Sequence, residues 1–213
     1  MRRIVVVDLG TGNLHSVSKA LEHVAGGVTV KVSAEPAVIA AADHVVLPGQ
    51  GAIGTWFKAL GEDALHQAIT IALASCPVLG ICLGLQALFD HSDEDGGITG
   101  LGVLAGQVRR FGSGENTRAR ELKVPHMGWN NVTQHGEHPL WLGIPQDTRF
   151  YFVHSYYADA RAPDQVTGTT NYGVRFTSAA AADNVFAVQF HPEKSHAQGL
   201  KLLENFVNWD GGT

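Results

Sequence analysis

The sequence is poor in several things, and each shortage excludes something. Only two of its 213 residues are cysteines, Cys76 and Cys82. The stretch between them, Pro77-Val78-Leu79-Gly80-Ile81, reads as a strand, which at ~3.3 Å per residue holds them ~20 Å apart. A disulfide needs Cα atoms within roughly 7 Å, so these two are not expected to pair. Charge is sparse at 16%, and the 15 basic residues are scattered against 20 acidic ones. Nothing in that pattern makes a nucleic-acid groove or a patch for an anionic membrane. Long apolar runs are missing too: the first, Ile4 to Val7, stops at Asp8 despite Arg2-Arg3 in front. A signal peptide or membrane span is therefore not expected, and the expected compartment is the cytoplasm. No composition break or internal repeat appears, and a chain of this length that is 45% hydrophobic is expected to form one domain over residues 1–213.

Two further motifs fall short. Gly10-Thr11-Gly12-Asn13 follows the first strand like a dinucleotide loop, but His15 stands where the third glycine belongs. Eleven histidines invite a metal, yet His135-Gly136-Glu137-His138 lacks the i, i+4 helical spacing of a hydrolytic zinc site. Neither a cofactor nor a metal is expected.

What is present is an alternation. Ile4–Val7, Val28–Val32, His44–Leu47 and Val78–Ile81 are short apolar strands. Between them, residues 13–25, 36–42 and 56–74 carry helical spacing, the last broken near Gly61. This predicts an α/β fold whose central, mostly parallel sheet is flanked by helices on both faces. After residue 100 the texture changes. Val103–Phe111, Val124–Val132, Phe150–Ala158, Gln165–Tyr172 and Val185–Phe190 read as strands parted by turn residues, an antiparallel extension in the C-terminal half. Gly112–Thr117 is expected to be a flexible hairpin tip without function, and Leu200–Trp209 a closing amphipathic helix.

The chemistry lies in two runs. Gly80-Ile81-Cys82-Leu83-Gly84 has the form of a nucleophile elbow: a strand, a strained turn, then a helix, here expected over Leu83–His91. Small residues two before and two after the nucleophile let strand and helix approach. A thiol at a helix N-terminus sits in a positive backbone field that favours the thiolate. Taken alone, the run equally fits a buried cysteine beside two packing glycines. The second run is Gln189-Phe190-His191-Pro192-Glu193. Residues i and i+2 of an extended chain point to one side, and Pro192 holds His191 extended. The imidazole and the carboxylate are thereby neighbours, and Cys82, His191 and Glu193 form a candidate triad for attack on an amide or ester carbonyl. The Leu83 N–H is a candidate oxyanion donor, and the Pro48-Gly49-Gln50-Gly51 loop a second source. From spacing alone that loop also fits an ordinary strand-to-helix turn.

With these residues placed, the chain resembles the class I (triad) glutamine amidotransferases over nearly its whole length. The elbow and the His-Pro-Glu run belong to the whole class. The runs Asp8–Leu14, Pro125-His126-Met127-Gly128-Trp129-Asn130 and Tyr151-Phe152-Val153-His154-Ser155-Tyr156 are similar to the branch that serves as glutaminase subunit of imidazole glycerol phosphate synthase. The resemblance implies a flavodoxin-like fold, L-glutamine as substrate, and Cys82 as nucleophile, His191 as acid/base and Glu193 as its orienter. It assigns Gly49, Gln50, Gly51 and Leu83 to an oxyanion hole formed by a peptide reorientation at Gly49-Gln50, and Gln86, His154 and Ser155 to glutamine binding. It turns Asn13, Met127, Trp129, Tyr151 and Lys194 toward a partner. That partner is a (β/α)₈-barrel cyclase subunit, completing a heterodimer of histidine biosynthesis that needs no cofactor.

The chain departs from the branch at Leu9, Gln50, Ile53 and His196, none of them a catalytic group. Two other readings are the glutaminase subunit of pyridoxal phosphate synthesis and a catalytically silent module on the same fold. The Met127–Asn130 run points away from the first and the intact triad away from the second. A cysteine peptidase of related fold is set aside by the Gln86 and oxyanion-loop matches.

Overall fold

The computed structural model describes residues 2–61, 64–112 and 122–212. The first half alternates as expected: β1 (Arg3–Val7), α1 (Leu14–Val24), β2 (Thr29–Ser33), α2 (Pro36–Ala40), β3 (His44–Leu47), α3 (Ile53–Leu60), α4 (Ala64–Ser75), β4 (Val78–Ile81) and α5 (Leu83–Ala87). Then follow β5 (Phe89–Ser92), β6 (Ile98–Thr99), β7 (Leu104–Arg110), β8 (His126–Asn131), β9 (Thr133–Gln134), β10 (Arg149–His154), β11 (Tyr156–Ala160), β12 (Val166–Tyr172), β13 (Val174–Ala182), β14 (Val185–Val188) and α6 (His196–Asn208).

Among the described residues these strands make one large sheet and one two-stranded ribbon, β8–β10. In the large sheet β2-β1-β3-β4-β14 are parallel; the order then runs through β13, β11, β7, β5 and β6, mostly antiparallel, with β12 and β9 on a branch from β13. Alternation along β1 splits its side chains between two cores. Ile4 and Val6 face Val17 and Leu21 of α1 and Leu202, Leu203 and Phe206 of α6. Val5 and Val7 face Ile39, Trp56 and Ile69 of α2–α4. Helices therefore cover both faces of the parallel part. Cys76 and Cys82 are both free thiols. Cys76 is half-buried at the entrance to β4, where burial and then Asp43 push its thiol up to about 11.

Four expectations are corrected. The helix expected over Leu83–His91 ends at Ala87, because Phe89, fully buried, is drawn into a parallel pairing with Leu104 of β7. The strand expected over Phe150–Ala158 breaks at Ser155, so that β10 joins the ribbon and β11 the large sheet. β13 was not expected, since its Ala179–Ala182 end is a run of strong helix formers. Pairing on both edges overrides that propensity: Ala179 and Ala180 are fully buried, and a Cβ on Gly168 of β12 would stand 3.0 Å from that of Ala179. Finally, α6 begins at His196, four residues early. Gly199 sits inside its first turns because a Cβ there would collide with the Pro192 carbonyl. Residues 113–117 of the expected hairpin tip lie outside the described residues; the strands on either side, β7 and β8, belong to different sheets.

Candidate active site

β3, β4 and β14 point their carboxyl ends at one place, the usual position for a site in an open α/β sheet. Cys82 follows β4 directly and caps α5 with φ +55° and ψ −102°. An L-residue held there carries strain of about 1–3 kcal/mol, tolerated only where the surroundings over-determine it. The two glycines show how. A Cβ on Gly84 would overlap the carbonyl of Leu47 at the end of β3, and one on Gly80 would lie 2.9 Å from the Cβ of Ala187 in β14. These two close approaches wedge the turn between its neighbours.

Register brings in the distant run. Val188 pairs with Ile81 across β14 and β4, and the Cys82 N–H donates to the Val188 carbonyl at 2.8 Å. The next residue, Gln189, therefore stands beside Cys82 and donates from Nε2 to the sulfur at 3.7 Å. Two residues on, His191 is extended (φ −103°, ψ 96°) and donates from Nδ1 to Oε1 of Glu193 at 2.8 Å. Both side chains are shut from solvent, at 2% and 1% exposure. Burial alone would lower the pKa of His191; the negative charge of Cys82, a hydrogen bond to its sulfur and then Glu193 outweigh it and raise it to about 9. The ring is thus close enough to interact with the sulfur, but Nε2 makes no well-aligned hydrogen bond among the described residues. Loose alignment of this kind is common in sites without substrate.

A cleft of about 450 Å³ opens over Cys82. Gln50, Gly51, Leu83, Gln86, Glu94, Tyr151, His154, Ser155, Tyr156 and Lys194 are among the residues lining it. Gly49 lies behind them, packed so that a Cβ would meet that of Leu83 at 2.8 Å, and the Trp56 indole donates to the Pro48 carbonyl at 3.2 Å. The Gly49-Gln50 peptide also abuts Gly12 (φ +99°), where an added Cβ would lie 3.5 Å from the Gly49 Cα. Gln86 donates from Nε2 to the Tyr156 carbonyl (2.9 Å) and to Oε1 of Gln189 (3.0 Å), which leaves only its oxygen for the cleft.

His154 belongs to a second polar chain. Its Nδ1 donates to the Tyr156 carbonyl at 2.7 Å, so its Nε2 accepts from Nδ1 of His126 at 2.9 Å, and Nε2 of His126 accepts from Asn130 at 3.2 Å. Burial lowers the pKa of His154 to about 3 and that of His126 to about 4. Both are therefore neutral, and each ring nitrogen has a partner.

The residues assigned to a partner fall in two groups. Met127 and Trp129 are 61% and 37% exposed on β8. Asn13 is exposed too, but its Oδ1 accepts from the Ser16 N–H at 3.1 Å as the cap of α1. Tyr151 and Lys194 instead stand half-buried at the cleft wall.

Sequence reasoning missed Gln189, Glu94, Ser195 and His126. The signal for Gln189 was available, since it stands two residues before His191 on an extended run. Glu94 had none. It reaches the cleft from a short turn and accepts from the Ile53 N–H at 3.0 Å, just after the Gly49–Gly51 loop, with its carboxyl raised by burial.

The family described as glutamine amidotransferase class-I matches residues 5–209. The chain is 54% identical to imidazole glycerol phosphate synthase subunit HisH 1 of Pseudomonas aeruginosa, over 99% of each chain. It is 55% identical to the HisH subunit of Dechloromonas aromatica, over 97% of this chain and 96% of that one. Among solved structures it is similar to PurLQS from Thermotoga maritima (TM-score 0.72, 16% identity, 97% and 98% covered). It is also similar to a crystal structure of a glutamine amidotransferase (TM-score 0.69, 17% identity, 96% and 97% covered). Those two likenesses bear on the fold alone. With a family match and near full-length identity above one half, the chain belongs to the class-I glutamine amidotransferases, in the branch of imidazole glycerol phosphate synthase HisH subunits.

Proposed function

We propose that this chain, acting as one domain, hydrolyses L-glutamine to glutamate and ammonia, and passes the ammonia to a cyclase subunit that makes imidazole glycerol phosphate and aminoimidazole carboxamide ribotide in histidine biosynthesis. The observation that carries this reading is the buried Glu193–His191 pair coupled to the sulfur of a strained elbow, beneath a cleft sized for an amino acid.

The Cys82 thiolate attacks the side-chain carboxamide carbon of glutamine. The oxyanion that forms is held by backbone N–H groups of Leu83 and the Gly49–Gly51 loop. The His191 imidazolium protonates the departing nitrogen, ammonia leaves, and a glutamyl thioester remains. Water, losing its proton to the same ring, cleaves the thioester and restores the thiolate–imidazolium pair. Glu193 keeps the ring in the tautomer that presents Nε2 to the sulfur. Gln189 donates from Nε2 to the sulfur and helps fix its position. Glu94 is a carboxylate that lines the cleft and suits the α-ammonium of a free amino acid, while Lys194 suits its carboxylate.

Ammonia released into water becomes ammonium and loses its nucleophilicity, so a dry route to a second site is required. The partner is a (β/α)₈-barrel cyclase in a heterodimer, docked against the Met127–Trp129 face near Asn13, Tyr151 and Lys194. No metal or organic cofactor enters the reaction. Among the described residues no helix is long and apolar enough to cross a membrane; the cytoplasm is the proposed compartment. The test is a glutaminase assay with and without the purified cyclase and its nucleotide ligand. Low activity alone and a large rise in the complex are expected; a chain inert toward glutamine in both states ends the proposal.

A further inference from the structure

We propose that Ser195 is a positioning residue for His191, which ties the main chain of the imidazole to the β8–β10 ribbon, so that docking on the ribbon acts on His191 through this serine. The inference rests on the reading of His191 as acid/base of a partner-stimulated glutaminase.

The Ser195 hydroxyl is buried and makes two hydrogen bonds, both with main chain. It donates to the His191 carbonyl at 2.6 Å and accepts from the Tyr151 N–H at 3.0 Å. The triangle closes on its third side, where the His191 N–H donates to the Tyr151 carbonyl at 2.9 Å. The His191 N–H is therefore held by Tyr151, and its carbonyl by a hydroxyl that Tyr151 also holds and by the Lys194 N–H at 3.0 Å. Tyr151 pairs with Trp129 across the ribbon, so this anchor sits directly beside the exposed indole.

Two features make the triangle a transmitting contact rather than ordinary packing. First, the ribbon's strands form a ladder only with each other among the described residues, so β8 and β10 join the large sheet through side-chain contacts such as Asn130 to the Asn171 carbonyl rather than through strand pairing. Second, the next residue, His196, lies flat on Trp129, with ring centroids 5.0 Å apart and planes at 9°. It does so from a φ of +50°, which an L-residue adopts only when its surroundings hold it there. A displacement of Trp129 thus reaches Ser195 across the β8–β10 pairing through Tyr151 and along the chain from His196. Tyr151 holds the His191 main chain both directly and through Ser195, and His196 reaches it through Ser195.

The experiment compares wild type with Ser195→Ala, each alone and in complex with the cyclase and its nucleotide ligand. Glutaminase kcat, KM and the pH profile of kcat/KM are measured. We expect the ratio of stimulated to basal kcat to fall by about tenfold, within the usual range of coupling between sites. The basic limb of the pH profile should shift, while KM for glutamine moves by no more than about twofold. Ser195→Cys, which keeps a weak donor and acceptor in a similar volume, should recover part of the ratio; it also carries the comparison if the alanine variant does not fold. Equal proportional loss of basal and stimulated rates with an unmoved pH profile would overturn the inference, as would no change in either rate. A wild-type chain that the cyclase does not stimulate would instead sink the functional reading beneath it.

Discussion

Two buried imidazoles serve one cleft and are driven in opposite directions. His191 has Cys82 and Glu193 as its neighbours, and its pKa rises to about 9 in spite of burial. His154 meets another histidine and a carbonyl, and burial carries its pKa down to about 3. Depth does not separate them, since they are 2% and 6% exposed. The charge of the partner decides. An ionised neighbour repays the desolvation of an imidazolium, whereas a neutral hydrogen-bond chain satisfies the ring without charging it. One ring is thereby suited to move protons and the other to hold the Ser155–Tyr156 backbone in place.

The sharpest way to break this contrast is Cys82→Ala. Glutamine-dependent synthesis by the complex should vanish while ammonia-dependent synthesis continues, and His191, titrated by NMR, should fall back toward its ordinary value. A mutant complex that still used glutamine would refute the nucleophile assignment.

Next in size is Glu193→Gln, expected to lower kcat by about 10²-fold, the lower end for impaired acid/base catalysis. Loss as complete as that from Cys82→Ala would contradict the orienting role.

His126→Ala attacks the neutral chain. It removes a ring stacked 4.0 Å from Tyr172 and leaves Nε2 of His154 without its donor. A loss of about 2–3 kcal/mol in denaturant unfolding is expected, from lost packing and an unsatisfied buried nitrogen. A neutral result would mean that water replaces the ring without penalty.

Stability against pH shows both rings at once. The folded pKa of His191 lies above the unfolded value of about 6.5, so its contribution is complete below pH 6.5 and is lost as pH rises through about 9. His126 and His154 have folded values of about 4 and 3, so the unfolded chain takes up their protons first and stability falls as pH drops below about 6.5. Unfolding free energy should therefore peak near neutrality. A Cys82→Ala chain should lose much of the alkaline fall and keep the acid one; an unchanged alkaline limb would assign that fall to other groups.

The smallest effect is expected from Gln50→Val. The backbone N–H is retained, so the basal glutaminase rate without partner ligand should change by only a few-fold, and no change at all would remove the side chain from any control of the loop.

Much of this was legible beforehand, and the misses share a cause. The elbow could be read because its Gly-x-Cys-x-Gly spacing is a local signal, although Gly80 and Gly84 answer to Ala187 and Leu47 on the neighbouring strands. The His191–Glu193 pair could be read because extended geometry and Pro192 are local. β13 could not, because its alanines answer to strands on both sides. The early start of α6 was hidden because Gly199 answers to the Pro192 carbonyl. Glu94 and Ser195 act through main-chain atoms far from them in sequence or across a turn, and no spacing rule reports such bonds.

Sequence alone therefore singled out Cys82, His191 and Glu193 as a candidate triad, with the backbone shapes that present them, because dihedral limits act between near neighbours. The tertiary structure decided that β14 lies beside β4, that Gln189 donates to the sulfur with His191 close by, and that of two similar imidazoles one favours its charged form and the other stays neutral. Proximity, burial and the sign of a neighbouring charge are supplied by distant parts of the chain.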